Sequence, residues 1–322
     1  MTSRSVAVAD DPIVAEAAED VLISGGSALG AVVAGFFAAA GAHSGVLLSP
    51  VTLIAAGAGL GARAFDGRCR QPGLGTKRPR GFKDNEEIPM AARMAVPAAL
   101  TAVVVALAYD EQAKVSRLVR SAIRRARDSG ADARASLIER VRAVGAGAIT
   151  EQSFMRPLLH VAGESAGGVL TPTDFRSITD VDVAAATVTV ESARWIMAPW
   201  ARSEAPEVVT EDFGTGHAVC AVDVRGLFAA LCYRRVRDGI PVDELELEAP
   251  PTAVPVLRGI SRGAPGKSLP APAPIAIRVD EGGVPVEVVA APAAASPTEA
   301  ALSTAKLRVR WDAEKKRAEV VR

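Results

Sequence analysis

The stretch Gly214-Thr215-Gly216-His217-Ala218-Val219-Cys220-Ala221-Val222-Asp223 decides how the rest of the chain is read. Its second half is an apolar run of Ala, Val and Cys, which predicts a buried strand over 218–223. Thr215 stands on the lip of that strand, with glycine on both sides and His217 two residues on. Flanking glycines permit the strained, exposed turn that a nucleophile needs. In that chemistry the threonine hydroxyl cuts the peptide bond before it, and the freed α-amine then serves as the base for the same hydroxyl. Thr215 is therefore the candidate nucleophile, and His217 a candidate orienting group.

Strands are also predicted over 182–190, 227–234, 275–279 and 284–289, with a last short one through Leu307, Val309 and Trp311. The first half of the chain has helical periodicity. Residues 12–23 carry Ile13, Val14, Ala17, Ala18, Val21 and Leu22 at helical spacing behind Asp11 and Pro12. Residues 28–42 are apolar nearly all round, which predicts a deeply buried helix. Further helices are expected over 97–110 and 113–144, the latter broken at Ser129-Gly130, and strands over 51–56 and 61–65. Residues 290–305 read as an Ala/Pro/Ser linker or a loose helix. Helices first and strands later, around a Thr-led strand, suit an α+β fold with two sheets between helical layers.

With 322 residues, 49% of them hydrophobic, the chain can bury a large core. A net charge of zero gives no bias toward nucleic acid or acidic membranes. No charged residue lies between Asp20 and Arg63, but Gly25-Gly26, Ser49-Pro50, Gly57 and Gly59 interrupt the run, so buried core is expected rather than membrane spans. Residues 114–142 hold nine basic and three acidic side chains without an aromatic, the pattern of a solvated helix face rather than a nucleic-acid helix. The three cysteines (Cys69, Cys220 and Cys232) form no CxxC, and residues 1–11 lack a signal-peptide core; a cytoplasmic protein is expected. If one of the three is a reactive thiol, this reading points to Cys69, between two arginines. The three histidines are far apart and no phosphate loop is present, so no metal and no cofactor are expected.

Several segments in order resemble the gamma-glutamyltranspeptidase family. Residues 12–42 are similar to its opening helix pair around a Gly-Gly step. Gly167-Gly168-Val169-Leu170-Thr171-Pro172-Thr173-Asp174-Phe175 is similar to its Gly-Gly-Leu-Thr…Asp-Leu step. The run from Gly214 to Asp223 resembles its Thr-Thr-His-x-Ser-Val-Val-Asp cleavage motif. Pro265-Gly266-Lys267-Ser268-Leu269-Pro270 and Gly282-Gly283-Val284 resemble a later Pro-Gly-Lys segment and its hairpin. The resemblance implies an αββα sandwich of the N-terminal-nucleophile hydrolase type. It also implies a cut before Thr215, giving a large-subunit-like segment 1–214 and a small-subunit-like segment 215–322 within one domain. Asp66-Gly67-Arg68-Cys69-Arg70 is similar to the family's stretch whose Arg grips a substrate carboxylate, which makes Arg68 or Arg70 the candidate carboxylate-binding residue.

The departures are specific. Gly216 stands where the family has a second Thr; Pro270-Ala271 replaces a Ser-Ser pair that holds the substrate or its oxyanion; Ala290-Ala291-Pro292-Ala293 replaces a later Gly-Gly oxyanion turn. Proline lacks even a backbone donor. The expectation is a protein of this type with degenerate substrate and oxyanion motifs, acting as a binding or assembly subunit. The alternative is a self-cleaving amide hydrolase or acyltransferase that uses Thr215 on a small amide or γ-glutamyl substrate. A homo-oligomer or a protein partner is expected, with no nucleic acid and no membrane.

Overall fold

Local chemistry sets the first elements. Strand β1 (Val6–Ala9) leads into Asp11, whose carboxylate accepts from the Ile13 amide at 2.8 Å and caps helix α1 (Pro12–Ile23), with Pro12 in its first turn. Ser27 caps α2 (Ala28–Ala42) by accepting from the Gly30 amide at 2.9 Å. Helix α2 is buried along almost its whole length, so it forms the centre of a helical layer. A hairpin of β2 (Val51–Ala56) and β3 (Ala62–Gly67) follows. Next come α3 (Ala99–Leu107), α4 (Val115–Leu118), α5 (Arg120–Asp128), α6 (Asp132–Val144), α7 (Gln152–Ala162) and α8 (Pro172–Arg176). The computed structural model describes residues 5–77, 81–83, 85–202, 214–261 and 263–321, so Phe213, which precedes Gly214, lies outside the described residues.

Most of the remainder is strand. In order come β4 (Asp182–Ala184), β5 (Ala186–Val190), β6 (Ala193–Met197), β7 (Gly214–Val222) and β8 (Phe228–Val236). They are followed by β9 (Ile240–Val242), β10 (Leu247–Ala249), β11 (Ile275–Val279) and β12 (Pro285–Ala290), then α9 (Glu299–Ser303), β13 (Leu307–Asp312) and β14 (Arg317–Val320). The segment 182–190, expected as one strand, is two. At Ala185 the chain leaves the edge of one sheet and joins the edge of the other.

Both large sheets are antiparallel throughout. The first has the order β1-β7-β8-β2-β3-β4 and the second β14-β13-β12-β11-β6-β5; β9 and β10 form a small hairpin. Alternation along β8 separates two cores. Ala229, Leu231 and Tyr233 face the helices, while Phe228, Ala230 and Cys232 face the second sheet. Helices α1, α2, α3, α5, α6 and α7 contribute to the first core. On the outer face of the second sheet, Leu302 of α9 is buried, and Glu287 is enclosed by Arg278, Arg308 and Arg310 at 3.1–3.5 Å. The result is an αββα sandwich. Among the described residues, no helix is long and apolar enough to cross a membrane.

Asp223 fixes the far end of the central hairpin. Its buried carboxylate accepts from the amides of Arg225 (2.8 Å) and Leu227 (3.2 Å) in the β7–β8 turn and from the Ala28 amide at the start of α2 (3.1 Å). The basic side chains of 114–142 are exposed or half-buried except for Arg134, which is 5% exposed, and Arg125, Arg127 and Arg140 pair with Glu16, Glu139 and Glu151.

Candidate active site

Thr215 and His217 are two residues apart in β7, so their side chains leave the sheet on the same face. That face is the helical side, because His217 pairs across the ladder with Tyr233 and stacks on its ring at 5.5 Å and 22°. Thr215 Oγ1 lies 2.9 Å from His217 Nε2. On the far side of the imidazole, Nδ1 lies 2.7 Å from Asp10 Oδ2. The other Asp10 oxygen accepts from the Ala218 amide at 2.8 Å. Asp10 reaches this position because β1 pairs with β7, Ala9 opposite Val219, which sets the next residue beside Ala218. An ionised carboxylate only accepts, so in the neutral imidazole Nδ1 carries the proton and Nε2 is left to accept from the threonine hydroxyl. Thr215, His217 and Asp10 thus stand in line, hydroxyl to imidazole to carboxylate.

The residue before Thr215 is constrained. Gly214 has φ +143°, and a Cβ there would stand 2.0 Å from the Arg235 carbonyl oxygen, so only glycine fits. Its carbonyl oxygen accepts from Arg234 Nη2 at 2.8 Å. Gly216 faces the other way, toward the second sheet, where a Cβ would lie 2.2 Å from the Pro292 carbonyl oxygen. The turn 290–293 therefore abuts the start of β7, although its sequence supplies no glycine pair. Behind the imidazole, burial raises the Tyr233 hydroxyl well above its ordinary pKa. Next to Asp11, His43 Nε2 approaches the carboxylate at 3.9 Å, and burial together with Arg235 lowers the His43 pKa below its usual value.

No family model and no curated protein matches this sequence. Solved structures do. Cephalosporin acylase from Bacillus halodurans superposes with a TM-score of 0.69 at 11% identity, over 88% of this chain and 76% of that one. LmbA2991 gives 0.66 at 15% identity, over 91% and 79%. Helicobacter pylori gamma-glutamyltranspeptidase gives 0.51 at 19% identity, over 62% and 71%. The chain has the N-terminal-nucleophile hydrolase fold.

Within that fold the two candidate carboxylate-binding arginines sit at the same end of the first sheet as Thr215. The ladder His217–Tyr233–Val51–Gly67 places them three strands away, about 14 Å at the usual strand spacing. Both are engaged by the protein's own groups. Arg68 is 5% exposed, pairs with Asp66 through Nε at 2.9 Å and Nη2 at 3.1 Å, and stacks over Trp200 at 4.5 Å. Arg70 bonds to Ser268 Oγ and the Asp180 carbonyl, and approaches Asp66 at 3.4 Å. Thr215 and His217 are brought together; Arg68 and Arg70 form a separate group.

Two members of the site were missed in the sequence. Asp10 follows a four-residue apolar run, Val6-Ala7-Val8-Ala9, the only local hint of β1. Arg234 lies at the end of a predicted strand, and nothing local marks its side chain. Cys69 is a correction. It is 2% exposed, and desolvation pushes its thiol up to about 12 despite the neighbouring arginines, whose guanidinium groups are spent on Asp66. Cys232 is likewise held at about 12, and Cys220 is shifted in the same direction. All three thiols are buried and free, so a thiol reagent at mildly alkaline pH should label none of them in the native protein and all three after unfolding. Rapid native labelling of Cys69 would contradict this placement.

Proposed function

We propose that this protein is a self-cleaving amide hydrolase or acyltransferase with Thr215 as its nucleophile. The observation that carries the reading is the contact series Thr215 Oγ1–His217 Nε2–Asp10 Oδ2 at 2.9 and 2.7 Å. In the uncut chain His217 takes the hydroxyl proton as Thr215 Oγ1 attacks the Gly214 carbonyl carbon. The C–N bond breaks, the proton passes to the leaving Thr215 amine, and water then hydrolyses the ester. The product carries a free Thr215 amine beside its own hydroxyl, competent to attack a small amide or γ-glutamyl group. The segments 1–214 and 215–322 would stay joined after the cut, because β1 pairs with β7 and β2 with β8 across it.

The competing reading, a binding or assembly subunit, rests on the lost oxyanion motifs at Pro270-Ala271 and 290–293. Turnover separates the two. Purified wild type should release amine from simple N-acyl or γ-glutamyl anilides, and Thr215→Ala should abolish that release. Equal rates in both proteins would assign the release to something other than Thr215 and sink the proposal.

A further inference from the structure

We infer that Arg234 is the oxyanion donor for the cut before Thr215. This rests on the proposed self-cleavage and supplies what the sequence lacks, a donor for the tetrahedral intermediate. As Thr215 Oγ1 adds to the Gly214 carbonyl carbon, the C=O electron pair moves onto oxygen. That oxygen already accepts from Arg234 Nη2 at 2.8 Å. The negative charge therefore develops within reach of a fixed guanidinium, which is always protonated. When the carbonyl re-forms, the pair returns and the Thr215 nitrogen leaves with the proton held by His217. Atoms and charge balance with water as the only further reactant.

The glycine opposite Arg234 is what this donor requires. Arg234 and Gly216 are cross-strand partners on the face toward the second sheet. With no side chain at Gly216, the Arg234 guanidinium can lie across β7 to its diagonal neighbour Gly214. A Thr at position 216 would have to place its Cβ 2.2 Å from the Pro292 carbonyl, on this same face. The Gly214 carbonyl is also not met by the adjacent strand's amide, because the Val236 N–H donates instead to Gly45 O at 2.9 Å. The donor for the cut thus comes from β8, on the opposite side of the peptide from the Thr215 hydroxyl and His217.

The test follows the cut over time by mass spectrometry of protein made by cell-free translation. Arg234→Met keeps the length of the stem and removes the donor, and it should slow the cut about 10²–10³-fold. Arg234→Ala should be slowed similarly and regain rate when guanidinium ion is added, a response that a purely structural arginine would not give. If Arg234→Met fails to fold, the Arg234→Ala rescue decides the question. Cutting of folded Arg234→Met at the wild-type rate would overturn the inference while leaving the proposed function standing. Slowing of Arg234→Ala without guanidinium rescue would overturn it too, by assigning Arg234 a packing role. A wild type that is never cut would overturn both.

Discussion

Asp10→Asn should slow the cut before Thr215 by about 10²–10⁴-fold with little change in stability. The size of the effect follows from tautomers rather than from lost charge alone. Asp10 Oδ1 accepts from the Ala218 amide at 2.8 Å, so an Asn in this position must turn its oxygen to Ala218 and its NH₂ to His217 Nδ1. A donor facing Nδ1 forces the imidazole proton onto Nε2. The Nε2–H then points at Thr215 Oγ1 and cannot accept its proton. The base is disabled with its geometry nearly intact. Because the Asp10 side chain is 29% exposed, losing its charge should cost little folding free energy. His217→Ala should match this loss in rate, and the double variant should be little worse than either, since the two act as one unit. Single-variant rates equal to wild type, measured by time-resolved mass spectrometry, would remove the relay from the mechanism.

The second large effect is structural. Asp174→Ala should destabilise the protein by about 3–5 kcal/mol, since it removes a buried carboxylate that several donors share. Asp174 is 1% exposed. It accepts from the Thr171 amide at 2.8 Å and hydroxyl at 3.0 Å, the Gly73 amide at 3.0 Å and the Leu74 amide at 2.8 Å. It thereby completes the capping box of α8 and fastens the loop at 73–74 to that helix. Without it, buried N–H groups lose their partner, and each costs about 1–3 kcal/mol, though not additively. The melting temperature should fall by about 5–15 °C. A shift within experimental error would mean that the loop has another anchor. The same residues that carry a family resemblance in Thr171-Pro172-Thr173-Asp174-Phe175 thus have a plain structural reason to be there.

The sequence was most legible where the chain is locally decided. Helices α1 and α2 and strands β2 and β11 have the bounds that their periodicity and caps predict. Helix α7 carries the same local signal, since Phe154, Met155, Leu158 and Ala162 are buried at helical spacing. What stayed hidden depends on partners far away in the chain. β1 is a short edge strand that exists because β7, more than two hundred residues later, pairs with it. Asp10 enters the site only through that pairing. The switch at Ala185 between two sheet edges leaves no mark on the Ala and Val content of 182–190. The contact of Thr215 with His217 follows from a spacing of two within one strand, whereas the contact of Arg234 with Gly214 needs the ladder register. The reading of Cys69 failed because charge proximity in sequence said nothing of burial or of Asp66.

The central claim is that Thr215 is a live nucleophile in this fold. The intact mass of freshly purified wild type, set beside Thr215→Ala, tests it most directly. Two species are expected in the wild type, residues 1–214 and 215–322, with the smaller beginning at Thr215, and a single uncut chain in the variant. A single uncut chain in both proteins would contradict it.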